Sequence, residues 1–188
     1  MAFLKPTGHR SRGWSALLLA LSVLSASAQA PVSEFKVKAV YLVKFIEFVD
    51  WPDGAFPATN SPLVIGVLGT DPFGRMLDEV AEGEMIKNRR VVVRRFHNAK
   101  EAEDANVLFI DKSESSRLRS ILPSLQDRSI LTVSDIEGFS DKGGVVRFII
   151  ENNKVHFRIN VGAARRANLQ ISSKLLQLAD VVHDQDRK

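Results

Sequence analysis

The chain has 188 residues, and its 26 Lys and Arg residues exceed its 22 Asp and Glu residues by four. It contains no cysteine, which excludes disulfides, thiol catalysis and thiolate metal sites. This length matches one ordinary domain, which can bury about two thirds of the surface of its unfolded chain without covalent cross-links.

The first 28 residues are predicted to be a secretory signal peptide. Lys5, Arg10 and Arg12 precede an uncharged apolar run over residues 14–24, and small residues follow up to Ala28. This run is shorter than the roughly 20 residues that a membrane-spanning helix needs. We expect cleavage after Ala28, which removes three of the 26 basic residues and leaves a periplasmic protein close to neutral. Such a charge gives no electrostatic reason to expect binding to nucleic acid or to an anionic membrane.

Residues 29–188 are predicted to form one α/β domain that begins with a helix over residues 33–49, capped by Ser33. The apolar stripe of this helix is wide enough for burial on two sides. It fits a core helix beneath a sheet or, in part, contact with a second subunit, and the sequence does not separate the two. Beyond Trp51-Pro52, strands and helices alternate as in βαβ units around a parallel sheet. The predicted strands are 63–68, 91–96, 107–110 and 130–133, and the predicted helices are 72–81, 100–105 and 113–125.

An antiparallel hairpin is predicted over residues 145–151 and 154–160, because Asn152-Asn153 suits a two-residue turn. The second strand alternates, so one face is expected to meet solvent and the strand to lie at or near a sheet edge. A short helix near Ala163 and a final helix over residues 172–181 complete the chain. The expected fold is a three-layer α/β sandwich with a mostly parallel central sheet, this hairpin, and helices on both faces.

The segment from Gly66 to Gly74 runs from a strand into a helix and invites a phosphate-binding hypothesis. Its spacing is not that of the known phosphate loops, Asp71 adds a negative charge, and Pro72 removes a donor. Capping of the helix by Asp71, with Pro72 at the first position, explains the same residues and is preferred.

Four arginines bracket the strand predicted at residues 91–96: Arg89, Arg90, Arg94 and Arg95. They could attract an acidic ligand or partner, but charged flanks also protect an edge strand from aggregation, and we prefer this second interpretation. A nucleic-acid site is not favoured, because Phe96 is the one aromatic residue nearby.

No motif for catalysis or metal binding is found, so we predict no enzyme activity, no cofactor and no metal site. The three histidines after the signal peptide, His97, His156 and His183, fall in no recognised pattern. Four polar residues follow predicted strands, where a pocket could form, but helix capping explains each of them. These residues are Asp111, Ser113, Ser134 and Asp135.

Several short motifs, in order, resemble the YfiR-like family of periplasmic proteins. Each is weak alone, but the ordered set is specific and covers nearly all of the chain after the signal peptide. The motifs are residues 38–45 with Trp51-Pro52, residues 69–74, residues 108–110, residues 131–135 with Gly138-Phe139, Gly143-Gly144, residues 157–160, and residues 171–179.

The resemblance implies a homodimeric α/β protein that represses an inner-membrane diguanylate cyclase by binding its periplasmic sensor domain. An outer-membrane lipoprotein would titrate the repressor away, so that cyclic-di-GMP, biofilm formation and motility respond to envelope stress. The lack of cysteine departs from members that contain it and removes a redox input. The alternative is a periplasmic receptor module that binds a small ligand and reports it to a membrane sensor.

A partner-binding surface is predicted from aromatic and arginine residues, which are common interface anchors, together with the polar face of the hairpin. The predicted residues are Trp51, Phe56, Phe139, Arg147, His156 and Arg158.

Overall fold

A computed structural model describes residues 33–126 and 128–182. The predicted signal peptide and His183 lie outside these ranges. The α-helices are α1 (Glu34–Glu47), α2 (Arg75–Ala81), α3 (Leu118–Ser124), α4 (Val161–Arg166) and α5 (Ser173–Leu176). The strands are β1 (Val49–Asp50), β2 (Leu63–Leu68), β3 (Met85–Ile86), β4 (Arg89–Phe96), β5 (Val107–Ile110), β6 (Leu131–Ser134), β7 (Val146–Glu151), β8 (Lys154–Asn160), β9 (Gln170–Ile171) and β10 (Asp180–Val182).

Eight of these strands form one curled sheet in the order β10-β8-β7-β6-β5-β2-β4-β3. The pairs β8/β7 and β4/β3 are antiparallel and the other neighbours are parallel, which confirms the mostly parallel sheet and the hairpin. Strands β2, β5 and β6 are buried along their whole length, as expected for parallel strands covered on both faces. Separately, β1 and β9 form a two-stranded antiparallel sheet.

Two hydrophobic cores lie on opposite faces of the large sheet. Along β2, Ile65 and Val67 join the core under α1 and α2, whereas Val64 and Leu68 join the core under α3. Because successive side chains of a strand point to opposite faces, this division shows a layer of helices on each side. The predicted three-layer sandwich is confirmed.

Helix α1 packs on the hairpin through aromatic contacts. The ring of Tyr41 lies 5.3 Å from that of Phe157, and the ring of Phe45 lies 5.9 Å from that of Phe148. The helix also contacts α2, so two of its sides are covered, as its wide apolar stripe predicts. The predicted cap is wrong in detail, because the Ser33 side chain makes no capping hydrogen bond.

Tertiary pairing changes several of the predicted elements. The final helix predicted over residues 172–181 stops at Leu176, and Asp180–Val182 instead forms β10, which pairs in parallel with β8. The helix predicted over residues 113–125 is divided into a 3₁₀ turn at Lys112–Glu114 and α3. The one predicted over residues 100–105 is a 3₁₀ turn at Glu101–Asp104. The two-residue strands β1, β3 and β9 are not predicted, because so short a segment has no readable period.

Candidate functional site

The β7–β8 hairpin has one face on the core and one face turned away from α1. Arg147 lies directly opposite Arg158, and Ile149 lies opposite His156. These four residues alternate with Phe148 and Phe157, which belong to the core under α1. Three of the six predicted partner-binding residues are therefore brought together on one face, which we call the hairpin face (Arg147, Ile149, His156 and Arg158).

The charges on the hairpin face are unevenly compensated. Arg158 donates two hydrogen bonds to Asp180 Oδ2, from Nε at 2.7 Å and from Nη2 at 2.5 Å. Arg147 has no ion pair with the described residues, and its Nε is buried without a hydrogen-bond partner among them. Like charges opposite one another on neighbouring strands repel, and an unpaired buried donor costs about 1–3 kcal/mol. Arg147 as a whole is half-buried, so a carboxylate from another molecule would pair favourably with the part of its guanidinium that is not buried.

His156 is exposed and Ile149 is half-buried on this face. The face thus offers a guanidinium, an imidazole and an aliphatic side chain over adjacent positions of two strands. Interfaces commonly combine an arginine anchor with neighbouring apolar contacts.

Phe139 cannot contribute to that surface, because its side chain is completely buried in the core under α3. Its ring lies against the backbone of Gly144, where an added Cβ would be only 2.1 Å from Cε1. The prediction of Phe139 as an exposed anchor is wrong. The residue shapes the loop between β6 and β7 from beneath.

Trp51 and Phe56 lie toward the other end of the sheet. Lys87, in the turn between β3 and β4, donates hydrogen bonds to Val49 O and Asp50 Oδ1 just before Trp51. Arg89 of β4 places its guanidinium 3.8 Å from the centre of the Phe56 ring. Four strand spacings separate β4 from β7, which is about 19 Å at 4.8 Å each. Trp51 and Phe56 are half-buried and do not form one surface with the hairpin face.

In the loop between β2 and α2, for which phosphate binding was considered, Asp71 makes its hydrogen bonds within the protein. Asp71 Oδ1 accepts hydrogen bonds from the backbone N–H groups of Phe73 and Gly74, at 2.8 and 3.2 Å. Its Oδ2 accepts a third from Arg95 Nε at 2.9 Å. The helix begins later than predicted, at Arg75 with Gly74 as its cap, but the structural interpretation of Asp71 agrees with these contacts.

Two of the four arginines around β4 also have internal partners. Arg95 bonds to both carboxylate oxygens of Asp78 at 2.6 Å, and this hydrogen bonding, partly opposed by desolvation, lowers the pKa of Asp78. Arg89 donates to the carbonyl oxygens of Ala58 and Ser61. Strand β3 covers only the first two residues of β4. Arg90 and Arg94 are exposed, which fits the interpretation of β4 as a charged strand near the edge.

Of the four polar residues that follow β5 and β6, only Asp111 is a cap, at the 3₁₀ turn Lys112–Glu114. The capping prediction is wrong for the other three, since the Ser113 hydroxyl accepts from Thr70 N and no helix directly follows β6. Asp111 accepts a hydrogen bond from Ser113 N, and the Ser134 hydroxyl donates to Ile110 O and accepts from Ile136 N. Asp135 differs, because its Oδ2 pairs with Lys38 Nζ at 2.7 Å.

Lys38 is completely buried in α1 and is the residue of this region that sequence reasoning missed. The signal that could have found it is its spacing from Glu34, an i, i+4 pair that is 2.5 Å apart in the structure.

In the parts of the chain that the structure describes, no three His, Asp or Glu side chains are grouped so that they could hold a metal ion. Nor do those parts contain a helix of the length and apolarity needed to cross a membrane.

The fold defines a three-layer α/β domain whose parallel sheet ends in an antiparallel hairpin. A family model described as YfiR/HmsC-like matches residues 35–180. The chain belongs to this family.

A solved structure shares the fold. It is the crystal structure of a conserved domain protein from Vibrio cholerae O1 biovar El Tor strain N16961, with a TM-score of 0.52 and 13% sequence identity. The match covers 81% of this chain and 61% of the Vibrio chain, so this chain corresponds to less than two thirds of that protein's length. No curated protein matches the sequence.

Proposed function

We propose that this protein represses an inner-membrane diguanylate cyclase by binding the periplasmic sensor domain of that enzyme. Family membership over residues 35–180 supports the regulatory role. The observation that carries the binding surface is Arg147, which is half-buried and has no ion pair among the described residues. A carboxylate of the sensor domain would pair with this guanidinium, while Ile149 and His156 contact the surrounding surface.

In the proposed scheme, the bound repressor holds the cyclase inactive and an outer-membrane lipoprotein removes it. The protein acts as a homodimer in this scheme, and Trp51 and Phe56 form a second candidate contact region away from the hairpin face. Arg158 is held by Asp180, so its contribution to binding is expected to be smaller than that of Arg147.

The repression itself is tested by measuring cellular cyclic-di-GMP in a deletion strain, its parent and a complemented strain. Repression requires a rise on deletion that complementation reverses. If deletion leaves cyclic-di-GMP unchanged, the proposed function is wrong.

The hairpin face is tested by complementation with His156→Glu, which places a negative charge beside Arg147 at an exposed position. Binding to the isolated sensor domain should weaken and cyclic-di-GMP should stay high. Arg90→Glu is the matched control, since Arg90 is equally exposed but lies on β4. Periplasmic amounts of both variants are compared by immunoblot. Full repression by His156→Glu would reject this surface while leaving the repressor role intact.

A further inference from the structure

A cleft of about 460 Å³ opens at the amino ends of β2, β5 and β6, on the side of the sheet that carries α3. It lies outside the hairpin face, and it shares Phe56 with the second candidate contact region of the proposed repressor. Its apolar lining includes Phe56, Val64 and Ile130, and its polar lining includes Arg94, Asn106 and Arg128. A volume of this size is typical of sites that bind small molecules.

The side-chain amide of Asn106 lines the cleft and is held in place by hydrogen bonds. Asn106 is 5% exposed, and its Oδ1 accepts a hydrogen bond from Val64 N at 2.9 Å. The backbone of Asn106 bonds to Val64 O and to Leu131 N, so neighbouring strands hold it on both sides. The Nδ2 group has no hydrogen-bond partner among the described residues. This nitrogen is not fully buried, so it can donate a hydrogen bond to an occupant of the cleft.

The charged residues of the cleft favour a single anionic group. Arg94 is exposed, and its side chain has no ion pair or hydrogen bond with the described residues, unlike those of Arg89 and Arg95 on the same strand. Arg128 is paired with Glu103. Asp104 also lines the cleft, and its charge opposes a second anionic group on the same occupant.

We propose that this cleft binds a small organic monocarboxylate with an apolar body. Its carboxylate accepts hydrogen bonds from Arg94 and from Asn106 Nδ2, and its body packs against Phe56, Val64 and Ile130. A guanidinium–carboxylate contact supplies charge-assisted hydrogen bonds, and the apolar wall supplies the area buried from water. Asp104 makes dicarboxylates poorer ligands than monocarboxylates.

The proposal is tested by titrating the purified ¹⁵N-labelled protein with benzoate, 4-hydroxybenzoate, phthalate and the neutral benzamide, followed by amide shifts in NMR spectra. The two monocarboxylates should give saturable shifts centred on Val64, Asn106 and Ile130. Arg94→Gln should weaken their binding about tenfold or more, as expected for the loss of a charge-assisted hydrogen bond. Asp104→Asn should improve binding of phthalate.

Arg90→Gln is the matched control, because Arg90 lies on the same strand, is exposed, and does not line the cleft. It should bind the monocarboxylates as the unaltered protein does. The proposal is overturned if neither monocarboxylate gives saturable shifts in the cleft, if benzamide binds as well as benzoate, or if Arg94→Gln leaves their affinity unchanged. The measurement needs no partner protein, so its failure is independent of any failure of the proposed repression.

Discussion

Lys38 Nζ lies 2.7 Å from Asp135 Oδ2, in an ion pair that joins α1 to the residue just after β6, 97 positions later in the chain. Lys38 is fully buried, and the side chain of Asp135 is 9% exposed. Glu34 and Lys112 complete the group, at 2.5 Å from Lys38 and 3.4 Å from Asp135. The pair therefore holds the first helix against the carboxyl end of the parallel sheet.

Lys38→Met is expected to lower the free energy of unfolding by about 3 kcal/mol, because it leaves a largely buried carboxylate with only the more distant Lys112. The methionine keeps most of the packing of the lysine stem, so the loss reports mainly on the charge. Urea denaturation near neutral pH measures the change.

Lys44→Met is the control for this prediction. Lys44 lies on the same helix, its side chain is 50% exposed, and its replacement should leave stability nearly unchanged. Equal effects of the two substitutions would show that the buried pair makes no special contribution.

Gly144→Ala is expected to destabilise the protein by about 1–3 kcal/mol through overpacking. The new Cβ would lie 2.1 to 2.5 Å from three atoms of the Phe139 ring, which is completely buried and cannot move aside freely. Thermal and urea unfolding measure the loss. In a double variant with Phe139→Leu the added cost of the alanine should shrink, because the ring is gone.

Gly54→Ala provides the comparison, since no atom lies within 4 Å of the position that its new Cβ would take. It should leave stability nearly unchanged. If Gly144→Ala were equally harmless, the packing of Phe139 against Gly144 would not be as tight as the structure indicates.

The central strands could be predicted closely from the sequence, because short β-branched runs bounded by turns carry a local signal. Strands β2, β5 and β8 have the predicted bounds. The prediction of the last helix is wrong because Val181 and Val182 pair with Ile159 and Asn160 of β8. A local sequence pattern gives no information about a strand partner 22 residues away in the chain. Tertiary pairing there overrides helix propensity.

The candidate site, too, could be predicted only where the signal is local in the sequence. Alternation along β8 correctly places His156 and Arg158 on one face, since the period of a strand is local. The burial of Phe139 could not be predicted from its residue type, because it results from tertiary packing in the core under α3 and against Gly144. Lys38 was missed because its partner Asp135 lies on a distant element.

Arg95→Gln is expected to cost about 0.5 kcal/mol near neutral pH, a value limited by the exposure of the pair. Arg95 bonds to Asp78 and lowers the pKa of that carboxyl group. A carboxyl group whose pKa is lower in the folded state stabilises the fold above its unfolded pKa of about 3.9, and this contribution is lost as the pH falls through the folded pKa. The stability difference between the two proteins should therefore shrink below about pH 4.

Urea denaturation of the protein and of Arg95→Gln at several pH values tests this dependence. Arg90→Gln serves as the control, because no ion pair of Arg90 occurs within the described residues and its effect should not change with pH. A stability difference for Arg95→Gln that stays constant down to about pH 3 would contradict the role of Asp78.

Asn153→Val is expected to destabilise the hairpin by about 1–2 kcal/mol, whereas Asn153→Gly should leave it unchanged or more stable. Asn152 and Asn153 join β7 to β8 with φ angles of 50° and 60°, a left-handed conformation that asparagine tolerates and a β-branched residue does not.

Glu151→Val is the control, since Glu151 is exposed and extended at the neighbouring strand position, where valine is favourable. Because the turn sets the register that places Arg147 opposite Arg158, Asn153→Val should also weaken binding to the sensor domain. Equal stability of the valine and glycine variants in urea unfolding would contradict the strain assigned to this turn.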